Sequence, residues 1–151
     1  MKALTGLVLA ATALAAPALA VRGKPADDGI TLTVAVDNVR VAKGVVHIDL
    51  CREEEFLKDC PISAETPAVH GRTVLVLHGL RPGTYAVEAT LDENHNGKND
   101  RALFGIPKEG VGFSNDAPIR LAPPRWKDAM FELHADKMIE LKLRYFTGPR
   151  S

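Results

Sequence analysis

Neither sign of charge is in excess in this chain, which carries 19 Lys and Arg against 19 Asp and Glu. Without a basic surplus or stripe, the composition gives no support to nucleic acid or an anionic membrane surface as a partner. Long apolar runs are also missing beyond the first twenty residues: no later stretch approaches the ~20 apolar residues of a membrane-spanning helix. Cysteine is scarce, with two in the whole chain, and the five histidines, His47, His70, His78, His95 and His134, lack zinc-type spacing. No internal repeat, heptad or low-complexity tract is present, and almost no segment has a helical period.

What is present begins with an address. Lys2, the apolar run from Ala3 to Ala16, and Ala18-Leu19-Ala20 form the three parts of a cleavable secretory signal peptide over residues 1–20. Pro17 and the small-residue site favour cleavage over an uncleaved N-terminal anchor, and no cysteine follows the site to take a lipid. Cleavage leaves Val21 as N-terminus and 131 residues with 18 basic and 19 acidic side chains, a length that suits one domain. The expected location is periplasmic or secreted, with no membrane span in the mature chain. In an oxidising compartment Cys51 and Cys60 are most simply a disulfide, contributing roughly 2.5–3 kcal/mol in the chain-entropy view. A redox pair is the alternative, but the spacing is not C-x-x-C.

Residues 21–29 read as a polar lead-in and residues 30–147 as one domain. Ile30, Leu32, Val34 and Val36 alternate with smaller or polar residues, as do Val46, Ile48 and Leu50, and the Ala42-Lys43-Gly44 turn between them predicts a hairpin. Thr73 to Leu77 is a further β-rich run. Arg81-Pro82-Gly83 is a type II turn signal, and Tyr85, Val87, Ala89 and Leu91 make the next alternating face. Ile119 to Leu121, Ala129 to Leu133 and Ile139 to Tyr145 add three more candidates. About seven short strands with Gly/Pro turns predict an all-β fold, a single antiparallel β-sandwich or small barrel. Glu53 to Lys58, inside the cysteine loop, predicts at most a turn of helix, and its Glu53-Glu54-Glu55 run a solvated face.

The run Asp92-Glu-Asn94-His-Asn96-Gly97-Lys98-Asn-Asp100 follows the strand ending at Leu91. Calcium takes six to eight oxygen ligands, and a chain wraps it when alternate side chains point inward around a sharp turn. Asp92, Asn94, Asn96 and Asp100 have that alternation, Gly97 supplies the turn and the Lys98 carbonyl a main-chain ligand. Leu103 stands where an EF-hand has its bidentate glutamate, so a missing acid must come from elsewhere, with Glu109 and Asp116 nearest. Two charged ligands imply weak affinity, about 10⁻⁴–10⁻³ M. A metal-free Asn-Gly hairpin turn explains Asn96 and Gly97 but not Asp92, Asn94 or Asp100. A transition metal through His95 is the third option, though His95 points outward if its neighbours point inward. The following glycine-rich segment holds Phe104, Ile106 and Phe113, too apolar for a solvated linker, and Phe104, Pro107, Phe113 and Ser114 are its candidate loop surface.

Pro82-Gly83-Thr84-Tyr85-Ala86-Val87, the Asp92 to Asp100 loop, Gly105-Ile106-Pro107-Lys108-Glu109-Gly110 and Gly112-Phe113-Ser114-Asn115 together resemble a bacterial family of exported proteins catalogued only as a domain of unknown function. The resemblance covers about Ile30 to Tyr145. It implies an envelope location and an Ig-like or transthyretin-like β-sandwich, marks the two loops as shared surface, and brings no activity. His95 stands where members often have Gly.

Candidates for catalysis are thin. Ser114 lacks a placed His partner, and His47 and His134, both in predicted strands, are a weak potential pair. A transthyretin-like hydrolase of a purine breakdown product is the enzyme alternative, prompted by Arg144-Tyr145-Phe-Thr-Gly148, although a contiguous Tyr-Arg-Gly-Ser is absent. The leading expectation is a non-enzymatic envelope module with a calcium-type loop and a protein or glycan partner.

Overall fold

The computed structural model describes residues 29–95 and 109–147. The strands are β1 (Ile30–Val39), β2 (Val45–Cys51), β3 (Ile62–Pro67), β4 (Gly71–Leu80), β5 (Gly83–Asp92), β6 (Val111–Phe113), β7 (Phe131–Leu133) and β8 (Lys137–Lys142). They form two sheets, β4-β1-β8 and β3-β2-β5-β6, with β7 also on β5. Apolar side chains at alternate positions of β1, β2, β4 and β5 fill the space between them, including Leu32, Val34, Ile48, Leu50, Leu75, Tyr85, Val87 and Leu91. The chain is thus all-β with a sandwich core, as its alternation predicts. Among the described residues no helix is long and apolar enough to cross a membrane.

The expected β1–β2 hairpin does not form. β1 pairs antiparallel with β4 and parallel with β8, while β2 pairs antiparallel with β3 and β5. Each strand hides its apolar set by facing the other across the core, so the Arg40–Gly44 connection carries the chain from one sheet to the other. Alternation reports a buried face but not which sheet a strand joins, and the β1–β8 ladder is the parallel exception in an otherwise antiparallel arrangement.

The Arg81-Pro82-Gly83 segment is also an inter-sheet corner rather than a type II turn, and the left-handed glycine nearby is Gly79, at φ 71°. Tyr85 locks this corner. Its fully buried ring sits in the core, its Oη donates to the Arg81 carbonyl at 2.9 Å, and Arg52 Nη2 donates to that hydroxyl oxygen at 3.1 Å. A tyrosine bonded back to the corner just before its own strand is a recurrent device of sandwiches of Ig type.

Two strands escape the sequence pattern. β3 carries only Ile62, Ala64 and Thr66 on its half-buried face and pairs with β2 alone, so Pro67 is tolerated on an edge. β6 lies in the glycine-rich segment because Gly112 lets it approach β8: a Cβ there would stand 2.6 Å from the Lys142 carbonyl oxygen. Val111 and Arg144 exchange amide bonds of 3.0 and 2.8 Å beside it, bridging one seam of the sandwich. Conversely, Ile119 to Leu121 forms no strand and Leu121 is exposed, and the expected strand from Ala129 begins only at Phe131, after the one-turn helix α1 (Trp126–Ala129).

The Cys51–Cys60 disulfide is formed, with Cα atoms 5.0 Å apart. It folds the intervening turn over the outer face of β2 and β5, where Cys51 and Ala86 lie opposite each other in register. Phe56 from that turn meets Phe113 and Trp126 edge to face, at 6.0 and 5.6 Å between centroids, and with Ala86, Ala117 and Ala129 they make a second apolar cluster. The β2–β5 sheet is therefore buried on both faces at this end.

Removing the Tyr85 hydroxyl unpairs the Arg81 carbonyl inside the corner. Tyr85→Phe is expected to lower stability by about 1–2 kcal/mol, read as a reduced urea midpoint with unchanged slope. An unchanged midpoint would contradict the corner's role.

Candidate functional site

β5 ends at Asp92, which is 4% exposed. The chain returns at Glu109, 6% exposed, whose carboxylate accepts the Glu93 amide at 3.1 Å, while the Leu91 amide donates to the Gly110 carbonyl at 2.9 Å. Those two bonds bring a second buried carboxylate to the end of β5. Glycines make the approach possible: Gly44, at φ 73°, has no room for a Cβ against the Asp92 carbonyl, and a Cβ on Gly110 would press into the Tyr145 ring at 2.6 Å. Tyr145 is itself held, its hydroxyl donating to the Asn38 carbonyl at 3.0 Å and accepting the Arg40 amide at 3.2 Å, with the Arg40 guanidinium 3.9 Å over its ring. Burial pushes the Tyr145 phenol above its ordinary range, and the nearby Glu93 charge acts in the same direction.

Buried carboxylates need donors or a cation to offset lost hydration. Asp92 and Glu109 are oxygen donors of the type that hard cations take. Asn94 lies exposed on the outgoing segment. Asn96, Lys98 and Asp100 of the expected ligand set, and Phe104 and Pro107 of the expected loop surface, lie outside the described residues. Asp116 is not brought into the group: its carboxylate accepts the Lys142 amide at 2.7 Å and so ties the 3₁₀ turn Ser114–Asp116 to β8. Among the described residues, no three His, Cys, Asp or Glu side chains converge into a metal-binding group.

Phe113 and Ser114, expected on a presented loop surface, are instead buried. Phe113 belongs to the second apolar cluster, and Ser114 Oγ donates to the Ala129 carbonyl while accepting the Val87 amide at 2.9 Å. The serine hydroxyl is a brace between β5 and α1. His47 and His134 do not meet either. His47 faces Thr90 and Leu133 faces Gly83 along β5, seven residues apart or roughly 23 Å at the usual strand rise.

His47 instead joins a polar group on the outer face of the β3-β2-β5 sheet. Its Nε2 is 3.2 Å from Asp49 and its Nδ1 3.7 Å from Glu65, and Glu65 is also 3.5 Å from Nε2 of His95. The hydrogen bond with Asp49 raises the His47 pKa above 6.5; desolvation opposes it, and the Asp49 and Glu65 charges reinforce it. This group is hidden from the sequence because β3 is: only the His47–Glu65 register places the two side by side.

Two facing sheets with a tyrosine-locked corner and a seam-bridging sixth strand define an all-β protein of sandwich type. A family model described as "Uncharacterized protein conserved in bacteria (DUF2141)" matches residues 34–140, and the chain belongs to that family. Comparisons with curated proteins and with solved structures give no match.

Because the folded His47 pKa lies above its unfolded value, its contribution to stability is complete below pH 6.5 and is lost as pH rises through the folded value. The urea midpoint of the wild type is expected to fall over that interval, and His47→Gln to flatten the fall. An identical pH slope in the variant would remove His47 as its source.

Proposed function

We propose that the protein is an exported, non-enzymatic module of the bacterial envelope in which calcium draws the Asp92–Asp100 loop and Glu109 together at one end of the sandwich, forming a surface for a protein or glycan partner. The observation that carries this reading is the arrival of Glu109, buried, at the end of β5 beside buried Asp92. A linear loop that lacks its last acidic ligand acquires a candidate for it from the bend that precedes β6. Export rests on the signal-type residues 1–20, and the Cys51–Cys60 disulfide accords with an oxidising compartment. A weak site accords with an exported chain, since extracellular calcium modules bind at about 10⁻⁴–10⁻³ M.

The Arg144-Tyr145 tail motivates a hydrolase alternative. The Tyr145 hydroxyl is engaged by Asn38 and Arg40, and the Arg144 backbone by Val111, which supports the module reading of this tail.

Calcium bound only by the folded state stabilises it by mass action, roughly 1.4–2.7 kcal/mol at ten- to hundred-fold excess over Kd. The melting temperature is expected to rise by several degrees between chelator and excess calcium. Asp92→Asn combined with Glu109→Gln is expected to abolish the rise. A melt indifferent to calcium in the wild type would sink the ion reading.

A further inference from the structure

The opposite end of β5 carries a second candidate site, on the outer face of the sheet. Thr84 and Glu132, paired across β5 and β7, form the floor of an open groove, and Thr84 Oγ1 fixes the Glu132 carboxylate at 2.8 Å. One wall is the turn that begins at Arg52 and carries Glu53 and Glu54, closed by the Cys51–Cys60 disulfide. The other wall is α1 with the residue after it, presenting the half-buried Trp126 and the exposed Met130. Phe56 supports the indole from below, edge to face.

We infer that this groove is a saccharide-binding site for a neutral, polyhydroxylated ligand. Arg52, Thr84 and Glu132 are held before any ligand arrives. Tyr85 Oη accepts from the Arg52 guanidinium, which also lies 5.2 Å over the tyrosine ring, and Glu132 is shared between Thr84 and His134 Nε2 at 3.1 Å. Such fixed groups lose little freedom on binding. The lining offers guanidinium donors, carboxylate acceptors and the half-buried indole of Trp126, which suits a ring that carries hydroxyl donors and acceptors together with apolar C–H groups. An anion would meet Glu53, Glu54 and Glu132; a cation would meet Arg52, and at Glu132 it would compete with His134. A neutral polyol uses both kinds of group without that opposition.

The groove is independent of the calcium reading. Thr84 and Asp92 are eight positions apart on β5, roughly 26 Å. Trp126 is the chain's single tryptophan and lines this groove, so its emission responds to occupancy there.

Titration of the full protein with chitotriose, cellotriose and maltotriose, in calcium and in chelator, tests the inference. At least one sugar is expected to shift Trp126 emission saturably, equally in both buffers and without dependence on salt. Glu132→Ala is expected to weaken that binding about tenfold, as for the loss of one charge-assisted hydrogen bond. The double change Glu53→Gln and Glu54→Gln, confined to the exposed turn, gives a second reading should Glu132→Ala perturb the fold. Asp92→Asn should leave sugar binding unchanged. The inference is overturned by the absence of saturation with any of the three sugars, by a salt-sensitive response to spermidine in their place, or by affinity that survives both groove variants.

Discussion

Everything in the molecule hangs on the pairing of β5. This strand ladders with β2 along one side and with β7 and then β6 along the other. Its inner residues Tyr85, Val87, Ala89 and Leu91 are in the main core, and Ala86 on its outer face lies under the second cluster. A strand so enclosed cannot shift register without turning both sets of side chains to the wrong face. Its two ends are therefore fixed points: Thr84 at one, Asp92 at the other. The tyrosine corner sets where the strand starts, and the Leu91–Gly110 bond sets where the chain rejoins it.

Three small residues allow the close approaches around that strand. Gly44 admits the Asp92 carbonyl, Gly110 admits the Tyr145 ring, and Gly112 admits the β8 backbone. The disulfide does comparable work at the other end by pinning Phe56 over Ala86, which turns a solvent-facing sheet surface into a covered one. Among the described residues, the outer face of the sandwich is partly exposed at the His47–Glu65 group and covered near Cys51.

Much of the fold was legible in the sequence where burial is one-sided. Leu32, Val34 and Val36, or Val46, Ile48 and Leu50, alternate because one face of each strand is dry. The same pattern is silent on sheet membership, so β1 and β2 read as a hairpin when they face one another across the core. β3 was missed because its inward residues, Ile62, Ala64 and Thr66, are few and only half-buried; β6 because Gly112, selected by a close contact, breaks any apolar alternation. For the candidate site, the sequence offers Asp92 and Glu109 as oxygen donors, and the fold adds that both are buried near the end of β5. That Ser114 is a buried brace was not legible, since its partners at Val87 and Ala129 are distant in sequence. The groove was invisible for the same reason: Arg52, Thr84, Trp126 and Glu132 become neighbours only when the disulfide turn and α1 fold onto β5.

One strand thus holds two chemically different ends, a pair of buried carboxylates at one and a mixed-charge groove with an indole wall at the other. Calcium binding at the carboxylate end, as proposed above, is tested residue by residue by a calcium titration followed by amide NMR. Saturating shifts are expected at Asp92, Glu93, Asn94, Glu109 and Gly110, with Thr84 and Glu132 unmoved. An amide of Glu109 that stays fixed while calcium saturates, or shifts scattered over the exposed acidic side chains, would contradict it.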